Sequence, residues 1–322
     1  MSLKRRLSDW LLLVAVRYYC LVRHPVIMAH AMSANGYFPN PSNPQLIGDK
    51  FLWRKLFDRN PLFAVACDKL ASKQYVSDQI PELKTAKVLW TGTDPDEIPD
   101  ELLSGDMVFK ANHGSGWNLL IRKGDIIDST RLHERARFWL ARLYGRRMGE
   151  WGYSRSARKL IVEEMLMNDG TPVQSEYKFH VCGGKVAYVY TSTGGSADSQ
   201  QYVVLDREGN AFKPTPDGKG REISFRLPKQ FGEMRLVAEK LSDPFDFARV
   251  DLYDLEGQTC FSEITIYPLS GTGNIRVKHL STLRNEMWDI RNSWFFNTPQ
   301  RGWRRSYCAA LKRSLDAQAA GS

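Results

Sequence analysis

Two carboxylates and an arginine occur at spacings that would bring them together on one β-hairpin. Arg249–Tyr253 alternates polar with apolar residues, and Thr259–Tyr267 is rich in aromatic and β-branched residues, so both are predicted strands. A short turn between them would place Asp251 nearly opposite Glu263, with Thr265 on the same face. Two carboxylates repel unless a cation lies between them, and oxygen ligands suit Mg²⁺. An ordinary hairpin with acidic surface side chains is the open alternative.

A second stretch has the composition of a phosphate-binding loop. Asp106–Lys110 is a predicted strand that ends in a lysine, and the sequence ANHGSGWN leads from it into the apolar residues Leu119–Ile121. Glycines between two strands allow backbone N–H groups to approach a polyphosphate. No Gly-Lys-Ser/Thr opens a helix after this loop, so it is not a Walker loop. A plain hairpin turn is the alternative here.

The elements that would position these groups are predicted from periodicity and capping residues. Asp68 is a suitable N-cap for a helix over the residues that follow it. Helices are also predicted over residues 1–32, Ile47–Leu56, Thr130–Met148 and Phe231–Leu241. A buried strand is predicted at Leu160–Val162, and a hairpin at Glu176–Val181 and Val186–Tyr190.

Composition and charge indicate a globular protein with local basic patches. The chain has 322 residues, of which 43% are hydrophobic and 25% charged, enough for one large domain or two to three packed subdomains. Its net charge of +9 is concentrated in residues 131–160, which hold nine Lys or Arg against two acidic residues. Such patches predict an anionic partner. No nucleic-acid-binding module is recognisable, so a nucleic acid is not expected.

The cysteines and the first residues bear on localisation. The five cysteines form no CxxC pair, which is typical of reduced thiols in a cytoplasmic protein. Lys4, Arg5 and Arg6 precede an apolar run, Trp10–Val16, that Arg17 interrupts. This run is short for a signal peptide and too short to span a bilayer. We therefore predict a cytoplasmic protein whose first helix either packs on its own core or lies on the inner membrane face.

Taken in chain order, several segments resemble the TupA-like ATP-grasp family of polysaccharide biosynthesis. The resemblance extends over about residues 45–275 and is carried by Trp53–Pro61, Asp68-Lys69, Glu176–Phe179, Arg249–Tyr253 and Ser262–Thr265. It implies an α+β ATP-grasp fold in which two α+β subdomains clasp ATP. The expected division is a helical region and linker (1–45), a first subdomain (46–105), a lid subdomain (106–190), a large subdomain with the metal site (191–297) and a basic tail (298–322).

The resemblance also implies roles for individual residues. Lys69 and Lys110 would contact the ATP phosphates beneath the glycine-rich loop, and main chain near Met165 and Leu166 would hold adenine. The implied cofactor-binding residues are Lys69, Lys110, His113, Gly114, Ser115, Gly116, Glu163, Glu164, Met165, Leu166, Glu176 and Lys178. The implied catalytic residues are Arg249 and Lys110, and the implied Mg²⁺ ligands are Asp251, Glu263 and Thr265. Thr265 departs from the asparagine that ATP-grasp ligases usually carry there.

The activity implied by the resemblance is that of a carboxylate–amine ligase. ATP would phosphorylate a carboxylate to an acyl phosphate, and an amine would then displace phosphate to form an amide. The implied partners are an acidic glycan or lipid-linked sugar precursor and an amino acid, which would be joined to a uronic acid or to an amino sugar. Two alternatives stay open on the sequence: a glycan phosphotransferase, and a non-catalytic glycan-binding protein with the same fold.

Overall fold

A computed structural model describes residues 3–173, 176–193, 201–212, 225–271 and 278–320. The helices are α1 Leu3–Arg23, α2 Pro25–Asn35, α3 Ile47–Phe57, α4 Leu62–Cys67, α5 Lys69–Gln79, α6 Ser129–Ala141, α7 Phe231–Ser242, α8 Lys278–Met287, α9 Trp294–Asn297 and α10 Trp303–Ala319. The mixture of helices and sheets confirms the predicted α+β class.

Within these described ranges, the strands form a six-stranded, a four-stranded and a two-stranded sheet. They are β1 Lys84–Thr85, β2 Val88–Gly92, β3 Met107–Ala111, β4 Asn118–Ile121, β5 Leu160–Glu164, β6 Met167–Asn168, β7 Thr171–Pro172, β8 Glu176–Cys182, β9 Lys185–Thr193, β10 Gln201–Leu205, β11 Phe247–Leu255 and β12 Gln258–Thr265. The six-stranded sheet has the order β1-β12-β11-β8-β9-β10, and the four-stranded sheet has the order β2-β5-β3-β4.

The six-stranded sheet contains the predicted hairpin in the predicted register. Asp251 of β11 lies opposite Glu263 of β12, and Arg249 lies opposite Thr265. Apolar residues of these strands, including Val250, Leu252 and Ile264, pack into a core that also contains Met234 and Leu241 of α7. This buried layer fixes the register, because a one-residue slip would turn the apolar set away from the core.

The division of the chain into subdomains differs from the expected one at the β8–β9 hairpin. Strand β8 pairs with β11, so Glu176–Thr193 belongs to the six-stranded sheet rather than with residues 106–164. The four-stranded sheet is instead covered by α6, and its core contains Phe109 and Val162. The pairing of β8 with β11 joins residues far apart in sequence, which periodicity within either segment does not reveal.

Several predicted helices have different ends. The helix predicted over residues 1–32 is two helices, because Pro25 has no N–H to continue the first. The helix predicted over Thr130–Met148 ends at Ala141. Gly145 and Gly149 lie in the left-handed region at φ 69° and 73°, so an uninterrupted helix cannot pass through them.

The basic tail predicted over 298–322 contains the helix α10, which packs on α1. Leu13, Val16 and Cys20 of α1 are buried in the same core as Tyr307 and Leu311 of α10. The predicted docking of the first helix on the core is therefore confirmed for this face of α1. Among the described helices, none alone is long and apolar enough to span a membrane; α1 and α2 pass that test only as a pair bent by 101°.

One buried charged pair connects α3 to the start of β11 in the six-stranded sheet. Arg54 of α3 is fully buried and donates to Asp246 at 2.6 Å and to the carbonyls of Ile266 and Phe247, both at 3.0 Å. Trp288 donates to the second oxygen of Asp246 at 2.6 Å. Because each charge is hydrogen-bonded, the pair can remain ionised away from water.

Candidate active site

A cavity of 340 Å³ lies between the two larger sheets. It collects residues from α5, β3, the glycine-rich loop, β5 and the β11–β12 hairpin. The predicted residues that line it are Lys69, Lys110, Ser115, Gly116, Glu163, Glu164, Met165, Leu166, Glu176 and Glu263. A cleft with a few convergent charged groups is the usual form of a small-molecule site.

Three lysines surround one buried carboxylate at one end of the cavity. Lys110 lies 2.5 Å and Lys73 3.4 Å from Glu163, whose side chain is only 2% exposed. Lys69 also lines this end, and its ammonium donates to the carbonyl of Gly114. Burial lowers the pKa of Lys69 to about 8, against the raising effect of Glu263. The ammonium groups of Lys73 and Lys110 share the one carboxylate of Glu163, so positive charge remains here for a polyphosphate.

Asp68 and Asn112 fix the start of α5 relative to the glycine-rich loop. As predicted, Asp68 caps α5: it accepts from the amide of Ala71 at 2.9 Å. Its other oxygen accepts from the amide of Ala157 at 2.8 Å. The side chain of Asn112 accepts from the amide of Leu70 and donates to the carbonyl of Ala157. These bonds hold Lys69 and the beginning of the loop in a fixed relation.

The glycine-rich loop contributes four consecutive lining residues, Ser115–Asn118. Gly116 has a φ of 70°, a conformation that favours glycine. A Cβ on Gly114 would lie 2.7 Å from the ring of Trp117, so a side chain there would displace the indole. The loop therefore requires glycine at both positions to hold its main chain against the cavity.

His113 lies outside the cavity, contrary to its expected cofactor-binding role. It is 1% exposed, and its Nε2 lies 3.0 Å from the carbonyl of Trp139. Burial lowers the pKa of His113, so the ring is neutral at pH 7. Gly114 likewise does not line the cavity and reaches it only through its carbonyl bond to Lys69. The ring of His113 packs edge-on against that of Trp117, with the two centroids 5.5 Å apart.

Another part of the cavity wall combines main chain with apolar side chains. The side chain of Glu164 accepts from the amide of Lys87 at 2.8 Å. The amide of Met165 donates to Asp106, and the carbonyl of Leu166 accepts from Val173. These two main-chain groups are thus bonded within the chain. The apolar lining residues at the cavity are Ala86, Val108, Leu120, Met165, Leu166, Val173 and Phe261.

An ionic cluster forms the base of the cavity at the β11–β12 hairpin. Arg249 donates to both oxygens of Asp251 at 2.7 and 2.6 Å, to Glu263 at 2.8 Å and to Thr265 at 3.0 Å. Lys178 donates to Asp251 at 2.9 Å. Two carboxylates and two cations therefore neutralise each other within the sheet. They can do so because alternate residues of a strand point to the same face of the sheet.

Glu176 connects this cluster to the cavity wall. Its carboxylate accepts from Lys178 and, through the other oxygen, from Ser262 at 2.6 Å. Glu176 and Glu263 line the cavity, whereas Lys178, Arg249, Asp251 and Thr265 lie beneath it. Of the residues predicted here, only the two glutamates are thus placed to meet a ligand in this geometry.

The residues present fit one carboxylate ligand for Mg²⁺ better than the predicted three-residue set. Glu263 has a side chain 38% exposed at the cavity, but the side chain of Asp251 is fully buried. Thr265 donates its hydroxyl to Glu263 at 2.8 Å. Within the described ranges, no group of three His, Cys, Asp or Glu residues could hold a metal ion. Mg²⁺ commonly takes one or two carboxylates with substrate phosphates, a role that Glu263 fits.

Both carboxylates of the hairpin are ionised at neutral pH. Burial would raise the pKa of Glu263, but the positive charges of Arg249, Lys178 and Lys69 lower it to about 2. Burial raises the pKa of Asp251 to about 6, although Arg249 and Lys178 oppose the rise. Burial also opposes the charge of Lys178, yet Asp251 and Glu176 raise its pKa. The cluster therefore keeps its charges at pH 7.

Some lining residues were not among the predicted site residues. Lys73 lies one helical turn after Lys69, and it also donates to the carbonyl of Ala86 at 2.6 Å. The spacing of four residues on α5 was the signal for it. Tyr253 follows Asp251 by two residues on β11 and lines the cavity beside Ser262. Strand alternation from Asp251 would have indicated Tyr253.

Comparison with solved structures finds ATP-grasp enzymes at low sequence identity. The D-alanine–D-alanine ligase from Bacillus anthracis complexed with ATP is 13% identical, with a TM-score of 0.42 over 83% of this chain and 72% of that one. The ATP-grasp ligase PsnB complexed with its minimal precursor is 12% identical, with a TM-score of 0.37 over 79% of this chain and 62% of that one. The chain thus spans about three fifths of the PsnB structure.

Comparison with curated protein sequences found no match. The family model described as TupA-like ATPgrasp matches residues 49–281, which include every residue of the cavity. This match spans well over half of the chain and agrees with the resemblance inferred from its motifs. The chain belongs to the TupA-like ATP-grasp family.

Proposed function

We propose that this protein is an ATP-dependent carboxylate–amine ligase that acts in cell-surface polysaccharide biosynthesis. The observation that carries the proposal is the cavity with Lys69, Lys73 and Lys110 at one end and Glu263 at its base. Phosphoryl transfer depends on positioned cations around the phosphates more than on a covalent group from the protein. The membership of the chain in an ATP-grasp family supports ATP as the phosphoryl donor.

In this proposal the three lysines bind the phosphates of ATP. Lys110 and Lys73 are held by Glu163, so their ammonium groups are in place before a ligand arrives. Such preorganisation reduces the cost of ordering long side chains on binding. The backbone of Ser115–Asn118 lies over the cavity and would cover the phosphates. The apolar part of the wall, which contains Met165 and Phe261, would receive the adenine ring.

The base of the cavity would hold the reacting end of the nucleotide. Glu263 would bind Mg²⁺, which neutralises charge on the phosphates. Arg249 and Thr265 both bond to Oε1 of Glu263 and thereby fix its carboxylate. Arg249 is in turn oriented by its two bonds to Asp251, which lies below the cavity. Arg249, Asp251, Lys178 and Thr265 lie beneath the cavity, so we assign all four a positioning role, with Arg249 acting through its bond to Glu263.

The proposed reaction has two steps, a phosphoryl transfer followed by an acyl transfer. An oxygen of the acceptor carboxylate attacks the γ-phosphorus of ATP, the bond to the β-phosphate oxygen breaks, and ADP leaves. The amine nitrogen then attacks the acyl carbon, the carbon–oxygen bond to phosphate breaks, and the amine loses a proton. The products are an amide, ADP and phosphate. Lys69 and Lys110 would stabilise the charge that develops on the phosphoryl oxygens.

An acidic glycan or lipid-linked sugar precursor is the proposed acceptor, and an amino acid the proposed second substrate. All nine Lys and Arg side chains of residues 131–160 are exposed, so this segment presents positive charge to the solvent. Trp139, by contrast, is buried and stacks on Phe109 at 5.4 Å. Trp151 is half-buried and donates to the carbonyl of Asp58 at 3.0 Å. Arginines rather than these indoles are thus available to such a partner.

A product screen tests the proposal. Purified protein is incubated with ATP, Mg²⁺, amino acids and uronate-containing glycan precursors, and ADP, free phosphate and the modified glycan are measured. A ligase releases phosphate in step with an amide product, whereas a phosphotransferase leaves phosphate on the glycan. If no combination gives acceptor-dependent ADP, the protein is a binding protein with this fold and the ligase proposal is wrong.

Two matched variants locate the activity in the cavity. Glu263→Gln removes the exposed carboxylate while keeping the side-chain shape, and it should lower turnover by at least about 100-fold. Glu286→Gln changes an exposed glutamate of α8, outside both the cavity and residues 131–160, and should leave turnover unchanged. Equal turnover in the two variants would contradict the role given to Glu263.

A further inference from the structure

Helix α1 has a second apolar face that packs on no part of the described chain. Its inner face buries Leu13, Val16 and Cys20. Its other face, the outer stripe, is exposed by amounts from 46% at Val14 to 83% at Leu3. The outer stripe comprises Leu3, Leu7, Trp10, Leu11, Val14, Tyr18 and Val22. Its members recur every three or four residues, so they form one continuous strip along the helix.

Such a strip is unusual for a helix docked on a globular core. Single exposed apolar residues are ordinary on protein surfaces, but a contiguous apolar patch marks an interaction site. A surface helix normally carries one apolar stripe towards the core and polar residues opposite it. Because α1 already has its core-facing stripe, packing among the residues that the structure describes does not explain the outer one.

The charges around the outer stripe are positive. Lys4, Arg5, Arg6 and Arg23 are exposed on α1. The helix has no acidic residue in its first turn, where cations oppose the helix dipole. Its acidic residue, Asp9, is bonded to Arg313 of α10 at 2.7 and 2.6 Å. The basic first turn thus weakens the helix itself, which favours an external anionic partner.

Helix α10 extends the same surface. Trp303 is 44% exposed, and its ring lies 5.4 Å from that of Tyr19, beside the outer stripe. Arg301 and Arg305 are exposed next to Trp303. Tryptophan and tyrosine beside arginine suit the boundary between lipid headgroups and acyl chains, where a ring is half-buried and a cation stays hydrated.

We propose that the outer stripe of α1 docks this protein on an anionic lipid bilayer, with the helix in the plane of the surface. The strip supplies apolar side chains for the acyl boundary, and the flanking lysines and arginines supply charges for acidic headgroups. Helix α1 buries Leu13, Val16 and Cys20 on the core, so it lies along the protein surface and turns its outer stripe towards the bilayer. The proposal does not depend on the activity proposed above.

Vesicle flotation with the whole chain tests the docking. The probe is a phosphatidylcholine vesicle with or without about 30% phosphatidylserine, mixed with protein in the absence of nucleotide. We expect at least about tenfold more bound protein on the anionic vesicles, and release in about 0.5 M NaCl, which screens the headgroup charge. Equal or absent binding on both vesicles overturns the proposal.

A pair of variants distinguishes the contribution of the outer stripe to vesicle binding from that of the positive charges. Leu11→Ser combined with Tyr18→Ser removes two exposed apolar side chains and should reduce vesicle binding by at least about tenfold. Leu236→Ser removes an exposed leucine of α7 and should bind like the unmodified protein. Thermal unfolding checks that both variants are folded. Unchanged binding of the double variant, or a dimer that the double variant abolishes, would overturn the lipid assignment.

Discussion

Removal of the Lys110 charge is the most informative perturbation of the proposed phosphate site. Lys110 lies on β3 with its ammonium 2.5 Å from Glu163, and its side chain is 19% exposed at the cavity. Lys110→Met keeps the length of the side chain and removes its charge. Glu163 retains Lys73 at 3.4 Å, so the substitution does not leave a buried carboxylate without a cation.

The expected loss of ATP affinity follows from the value of one charged hydrogen bond. Bonds to charged groups contribute about 1.5–3 kcal/mol. At about 1.4 kcal/mol for each tenfold change, Lys110→Met should raise the dissociation constant for Mg-ATP by about 10- to 150-fold. Lys69 and Lys73 still face the phosphates, so binding should be weakened rather than lost.

Isothermal titration calorimetry with Mg²⁺ and a non-hydrolysable ATP analogue measures this change. Lys123→Met is the matched control, because Lys123 is exposed just after β4 and does not line the cavity. Thermal unfolding of both variants reports whether each is folded. A dissociation constant for Lys110→Met within about twofold of that for Lys123→Met would refute the placement of phosphate at the lysine end.

Further predictions concern pH, stability and the buried cluster. Because burial lowers the pKa of Lys69 to about 8, its ammonium loses its proton above that pH, and the ATP dissociation constant should rise about fivefold between pH 8 and 9. For Lys69→Arg, the dissociation constant measured at the same pH values should rise less, because arginine keeps its charge. An equal rise in the variant would show that a group other than Lys69 causes the pH dependence. Arg54→Leu leaves Asp246 buried without its cation and should lower the free energy of unfolding by about 3–5 kcal/mol in urea titrations. A loss below about 1 kcal/mol would show that Trp288 alone satisfies Asp246.

The parts of the fold that follow from local pattern were predictable. The alternation of Arg249–Tyr253 and the turn after it were sufficient to place Asp251 opposite Glu263. The Asp68 cap was likewise predictable, because an N-cap depends on residues three positions apart. In both cases the determining contacts lie within one helix start or one hairpin.

Features set by distant contacts could not be predicted in the same way. Asp251 and Glu263 share a face, yet only Glu263 reaches the cavity, because Lys178 from another strand and Arg249 cover Asp251. His113 follows a phosphate-loop pattern but packs behind the loop against Trp139. These outcomes depend on which segments meet in three dimensions, which neither periodicity nor spacing within one segment determines.

The exposed stripe of α1 is a further feature that the sequence alone predicted only in part. The sequence of Trp10–Val16 predicted a helix that either packs on the core or lies on a membrane. The structure confirms the first alternative for Leu13 and Val16 and leaves Trp10, Leu11 and Val14 exposed. The apolar run therefore contains residues of two faces, which only the position of α10 separates.

The measurement that tests the central claim most directly is the transfer of ¹⁸O from the acceptor carboxylate to phosphate. The acceptor found in the product screen is labelled with ¹⁸O in its carboxylate and incubated with the protein, ATP, Mg²⁺ and the amine. If the carboxylate is activated as an acyl phosphate, mass spectrometry will find one ¹⁸O in each released phosphate. Released phosphate free of ¹⁸O, or phosphate retained on a sugar hydroxyl, would contradict the ligase mechanism.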